Sequence, residues 1–168
     1  VAVSRWSSRS MWSSYSAGGG RSDSQRRRPL RCLPMSEYVY VAGPLFDEGE
    51  RWWIEEVERV VVATGRTTFL PHRDNPPKTA ENVADIFAND RAAIDRCDLM
   101  VASLNGLITD DGTAWEIGYA FAKGIPIIGL HTDWRRRFEH EVVNLMIECS
   151  VDRIVGSLDE LDAALRSR

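Results

Sequence analysis

Leu99-Met100-Val101-Ala102-Ser103-Leu104 is an almost continuously apolar run, with Cys97-Asp98 before it and Asn105-Gly106 after it. A run this short, free of the polar alternation of a half-solvated strand, predicts a strand covered on both faces, at the centre of a parallel sheet. A second such run lies downstream, Ile125-Pro126-Ile127-Ile128-Gly129-Leu130, after a turn at Gly124. Upstream, Tyr38-Val39-Tyr40-Val41-Ala42 ends at Gly43-Pro44, and Thr67-Thr68-Phe69-Leu70 ends at Pro71. A short fifth strand is expected at Arg153-Ile154-Val155.

Helical periodicity fills the intervals, over about residues 47–63, 79–97, 112–123, 138–149 and 158–165. Residues 74–77, Asp-Asn-Pro-Pro, read as loop, and Thr79 to Glu81 as the start of the second helix. Strands alternating with helices imply parallel pairing, and right-handed crossovers place helices on both faces. The expected architecture is therefore α/β, a flavodoxin-like doubly wound sheet of five parallel strands. Ligands in such sheets bind beyond the carboxyl ends of the strands, near the switch in strand order. Residues 43–46, 71–74, 104–116 and those after Leu130 are the segments to inspect.

The chain has 168 residues, 43% of them hydrophobic and 27% charged, the composition of an ordinary globular protein. No apolar run approaches the roughly 20 residues that a membrane-spanning helix needs, so no membrane partner and a cytoplasmic location are expected. Cys32, Cys97 and Cys149 are widely spaced without a C-x-x-C, which suggests neither a disulfide framework nor a zinc site. Cys97 and Cys149 are expected to be half-buried packing residues.

Charge is uneven. Residues 1–34 carry seven arginines and one acid, a net of +6, and because the chain's formal charge is −4 the remainder carries −10. That acidic body is a poor surface for a nucleic acid polymer. Residues 1–34 are Ser-, Arg- and Gly-rich without periodicity and are expected to be disordered. Transit-peptide and nucleic-acid-arm readings of Arg26-Arg27-Arg28 are less economical than a natural start at Met35, with residues 35–168 as the folded domain.

The segment richest in chemistry is Asp110-Asp111-Gly112-Thr113-Ala114-Trp115-Glu116-Ile117-Gly118-Tyr119-Ala120. Gly112-Thr113 is expected to open a helix after the central strand, putting Glu116 about one turn inside, where its carboxylate can face the cleft. Such a group suits nucleophilic attack on an electrophilic carbon. It equally suits a capping box with Thr113, and spacing alone leaves both open.

Four segments in order, Tyr40 to Phe46, Asp85 to Asp90, Cys97 to Gly106 and Asp110 to Ala120, resemble the signature of the nucleoside 2-deoxyribosyltransferase family. The resemblance implies that Glu116 is the nucleophile that forms a covalent sugar ester, and that Asp90 is the acid serving the leaving base. It implies substrate-binding roles for Tyr40, Gly43, Phe46, Asp110 and Gly112, although core packing competes for Tyr40. Asn144, in Asn144-Leu145-Met146, resembles an asparagine that reaches across a subunit boundary, which implies a homo-oligomer of at least two chains. His72 and Arg73 follow the second strand where the family contacts the base.

The partners implied are a nucleoside and a free nucleobase, and no cofactor or metal is required. His72, His131 and His140 lack metal-ligand spacing, and neither G-x-x-x-x-G-K-[ST] nor G-x-G-x-x-G is present. Arg135-Arg136-Arg137 reads as a solvated turn or subunit contact before a phosphate site, and Trp52 and Trp53 as packing or interface residues. The mechanism implied is a retaining double displacement in which Glu116 is ionised and burial raises the pKa of Asp90. Two alternatives remain: hydrolysis of a 2-deoxynucleoside or its 5-monophosphate, and a non-catalytic nucleotide-sensing domain.

Overall fold

The computed structural model describes residues 37–135, 139 and 141–168. The expectations for residues 1–34, the boundary at Met35, Arg136, Arg137 and His140 lie outside the described residues. The elements in chain order are β1 (Tyr38–Ala42), α1 (Glu48–Ala63), β2 (Thr67–Phe69), α2 (Pro71–Asp74), α3 (Val83–Arg96), β3 (Leu99–Ser103), α4 (Asp111–Ala122), β4 (Ile127–Leu130), α5 (Leu145–Glu148), β5 (Arg153–Val155) and α6 (Leu158–Arg166). All strand pairs are parallel and the order is β2-β1-β3-β4-β5, the flavodoxin-like arrangement with its switch between β1 and β3.

The period of two along the strands sorts the core into two layers. Val39, Val41, Leu99, Val101, Ile128 and Leu130 pack against Ile54, Val57 and Val61 of α1 and Leu161 and Leu165 of α6. Tyr40, Ala42, Met100, Ala102 and Ile127 face the other way, against Ala93 and Ile94 of α3, Ile117 and Ala120 of α4, and Ile147 of α5. All five residues of β3 are buried, as its composition requires. Among the described residues no helix is long and apolar enough to cross a membrane.

Three helical expectations are corrected. Pro71–Asp74 forms a helical turn where a loop was expected: proline is preorganised for a first helical position, and the Asp74 carboxylate accepts the Leu70 N–H at 2.8 Å. The following helix begins at Val83, not Thr79, because Asn82 ties the preceding loop. Its Oδ1 accepts the Thr79 N–H at 2.7 Å and its amide donates to the Pro77 carbonyl at 2.9 Å. Of the helix expected over 138–149, the described residues form only Leu145–Glu148, where the Asn144 side chain caps the turn by accepting the Met146 N–H at 2.9 Å. A fourth correction concerns Cys149, which is exposed, whereas Cys97 is buried and burial pushes its thiol up to about 11.

Candidate active site

The capping reading of Glu116 disappears once the start of α4 is resolved. The cap is Asp110, whose carboxylate accepts the Thr113 N–H at 2.9 Å and its hydroxyl at 3.0 Å, so α4 begins at Asp111 and Thr113 is already inside. Glu116 is therefore free of the helix terminus. It projects from α4 over the carboxyl end of β1, where the Tyr40 hydroxyl donates to its Oε1 at 2.6 Å.

Tyr40 is fully buried, its ring stacked on Phe69 at 5.5 Å between centroids. It is not among the residues that line the cavity described below, and it reaches the site through its hydroxyl. Burial, reinforced by the charges of Glu116 and Asp90, holds that phenol far above its ordinary range, so it stays a donor.

Glu116, Asp90, Asp110, Gly112, Gly43 and Phe46 are brought together around one cavity of about 750 Å³ at the carboxyl edge of the sheet. Phe46 is 78% exposed and forms part of its rim. Gly43 packs closely: a Cβ there would lie 2.2 Å from Ile54 Cδ1 and 3.1 Å from Ser103 Cβ. Asp90, at the middle of α3, accepts a bond of 2.6 Å from the Asn75 amide, and Asn75 in turn accepts one of 2.7 Å from Asn89.

Asn144 does not join this group within its own chain. It lines a separate cavity of about 400 Å³ behind α4, beside Ala114, Ile117 and Gly118. Helix α4 divides the two: Thr113 and Glu116 face one, Ala114 and Ile117 the other.

Burial raises the pKa of both carboxyls, Glu116 as well as Asp90. Desolvation takes Glu116 up to about 8, with the nearby Asp90 and Asp110 charges adding to it and the Tyr40 hydrogen bond opposing it. Asp90 is also raised by burial, and the Asn75 bond pulls it back down. Glu116, not Asp90 alone, is thus the carboxyl whose protonation the site perturbs strongly, a property that clusters at functional positions.

Sequence reasoning left out Arg51, Asn75, Lys78 and Ile86, which also line the cavity, and it weighed His72 without adopting it. Arg51 was recoverable as a first-turn residue of a helix that follows Gly43-Pro44 at a strand end. Asn75 and Lys78 sit on the loop between α2 and α3, which the Asn75 and Asn82 side-chain bonds tie down, while His72 lies in α2 and Ile86 in α3. Arg73, by contrast, is engaged by Glu58 and Asp74 and does not line this cavity. Trp53 packs with its indole N–H donating to Ser103 Oγ at 3.0 Å, while Trp52 is exposed. Arg135 is engaged by Asp133.

With the fold and cavity described, the comparisons are decisive at the level of family. A family profile described as Nucleoside 2-deoxyribosyltransferase matches residues 39–146, and the chain belongs to that family. Curated proteins yield no match. Among solved structures, a conserved protein from Enterococcus faecalis V583 is 28% identical with a TM-score of 0.67, covering 79% of this chain and 99% of that one. The 2-deoxyribosyltransferase of Bacillus psychrosaccharolyticus is 26% identical with a TM-score of 0.66, covering 76% and 95%. A CMP N-glycosidase from Clostridium botulinum shares the fold at 24% identity and a TM-score of 0.52, covering 78% and 98%.

Proposed function

We propose that the protein cleaves the N-glycosidic bond of a (deoxy)nucleoside through a covalent glycosyl ester on Glu116 and transfers the sugar to another base. The observation that carries this reading is the placement of Glu116: a carboxyl anchored by a buried phenol, in one cavity with Asp90 and Asp110. In the first step a Glu116 oxygen bonds to the anomeric carbon as the C–N bond breaks, and the electron pair leaves on the base nitrogen with a proton from Asp90. In the second step the nitrogen of an incoming base attacks the anomeric carbon, the bond from that carbon to the Glu116 oxygen breaks so that Glu116 departs as carboxylate, and Asp90 recovers a proton from that base. Water in place of the base gives hydrolysis, with the same groups.

Attack needs Glu116 ionised and Asp90 protonated, so the one proton shared by the pair must sit on Asp90 when the sugar is in place. The Tyr40 hydroxyl supports this distribution, since the hydrogen bond it donates is stronger to the Glu116 carboxylate than to the neutral acid. A 2-deoxy sugar lowers the demand further, because no electron-withdrawing hydroxyl opposes charge at the anomeric carbon. Asp110, which lines the same cavity, is assigned to the sugar. Asn144, facing another cavity of its own chain, acts in this scheme only on the site of a second copy.

Incubation with a deoxynucleoside, with and without a free acceptor base, tests the proposal by chromatography. A new nucleoside supports transfer, free sugar alone supports hydrolysis, and unchanged substrate supports a sensing role and defeats the proposal.

A further inference from the structure

Helices α2 and α3 are joined through one amide. Asn75, the residue that closes α2, is half-buried, and its Nδ2 donates both to the Pro71 carbonyl at 2.9 Å and to Asp90 Oδ1 at 2.6 Å. Its Oδ1 accepts the Asn89 amide at 2.7 Å. A carbonyl only accepts, so Pro71 fixes which end of the Asn75 amide carries the hydrogens, and Asn89 engages the other end. Asn89 and Asp90, neighbours on α3, therefore hold the same amide by its two ends. Among the described residues Asn75 is the one group that bonds to the Asp90 carboxyl, through Oδ1, and no bond reaches Oδ2.

We propose that Asn75 is a positioning residue for the proton transfer: it keeps Asp90 Oδ1 as an acceptor, so that the proton given to the leaving base, and later recovered, travels on Oδ2. This rests on the N-glycosidic reading of Glu116 and adds to it a residue that acts through Asp90. In a neutral carboxyl the carbonyl oxygen is the better acceptor, so a donor fixed on Oδ1 places the hydroxyl on Oδ2. As the proton leaves, charge grows on Asp90 and the same bond strengthens, because a hydrogen bond to an ionised acceptor is roughly twice as strong as one between neutral groups. The gain is therefore larger in the transition state than in the ground state, and it raises turnover more than it raises substrate binding. It also opposes the penalty that burial sets on the Asp90 charge. Asn89, by holding the far end of the amide, keeps that donor aimed.

The test compares a deoxynucleoside, whose base needs a proton to leave, with a 4-nitrophenyl deoxyriboside, whose phenolate does not. Asn75→Ala lowers kcat on the nucleoside by roughly 10- to 100-fold, the value of a hydrogen bond to a charged group, with KM nearly constant, and costs the nitrophenyl substrate far less. Asn75→Asp, of equal size, sets an acceptor where the donor stood and loses at least as much on the nucleoside. Asn89→Ala, an exposed change that leaves the Asp90 and Pro71 bonds in place, shows the same pattern at roughly 2- to 10-fold. It carries the test if urea denaturation finds Asn75→Ala unfolded. In an Asp90→Ala background, Asn75→Ala adds no further loss on the nucleoside, because the group it acts through is gone. Equal losses on both substrates, a rise in KM with kcat unchanged, or additive losses in the double variant overturn the role of Asn75 and leave the reading of Glu116 intact. A wild type that turns over neither substrate overturns both.

Discussion

Replacing Tyr40 with Phe removes one oxygen and isolates the interaction on which the proposed nucleophile depends. The ring can keep its stack on Phe69, while Glu116 loses a donor held at 2.6 Å in a fully buried position. A hydrogen bond to an ionised group contributes about 1.5–3 kcal/mol, and about 1.4 kcal/mol corresponds to one pKa unit. The Glu116 carboxyl, already up to about 8, therefore rises further, by roughly one to two units. Activity requires a single proton on the Glu116 and Asp90 pair. It fails on the alkaline side when that proton is lost, on a limb near 8 set mainly by Glu116. In Tyr40→Phe this limb moves to higher pH by about one to two units, and the plateau kcat/KM falls by roughly 10- to 100-fold as the share of the pair with its proton on Asp90 shrinks. A pH profile of kcat/KM for both proteins reads the two effects together. A limb that stays in place while activity drops, or moves to lower pH, refutes the argument that the hydroxyl acts through Glu116.

The same burial has consequences for stability. A carboxyl raised from its ordinary range to about 8 on folding contributes stability that is complete below the unfolded value and is lost as pH rises through about 8. Glu116→Gln does not titrate, so its urea midpoint gains on the wild type between pH 5 and pH 9, by a few kcal/mol in order of magnitude; a constant difference contradicts the burial argument. Gly43→Ala drives a Cβ to 2.2 Å from Ile54 Cδ1, at a cost of about 1–3 kcal/mol in urea denaturation, and Ile54→Val, which deletes that methyl, recovers most of the loss in the double variant. Asp90→Asn lowers turnover of ordinary nucleosides by roughly 10²- to 10⁴-fold, but spares a 4-nitrophenyl deoxyriboside, whose phenolate leaves without a proton; equal losses on both substrates remove Asp90 from the acid role.

The strands were legible because β3 and β4 consist of residues that only a doubly covered position accommodates, and because turn residues bracket them. Parallel pairing followed from the alternation with helices, in line with the sheet observed. Helix limits were less legible where side chains, not periodicity, fix them: Asn82 ties the loop before α3 and Asn144 caps α5, so each helix starts later than an apolar count suggests. The cavity residues just after β1, on α3 and at the start of α4 came from family resemblance, since a glutamate near Thr113 is chemically ambiguous until Asp110 is seen to take the cap. Arg51 stayed hidden because an arginine one turn into a helix is unremarkable until the cavity wall is assembled, whereas His72 was singled out by its place after the second strand.

The ester on Glu116 is open to direct capture. A nucleoside with a 2-fluoro substituent on the sugar slows release of the glycosyl-enzyme by withdrawing electrons from the anomeric centre, so brief incubation, quenching and peptide mass mapping report where the sugar is attached. The expected result is one added glycosyl mass on the peptide that contains Glu116, absent from Glu116→Gln. An adduct on any other residue, or base release with no adduct at any time, contradicts the mechanism.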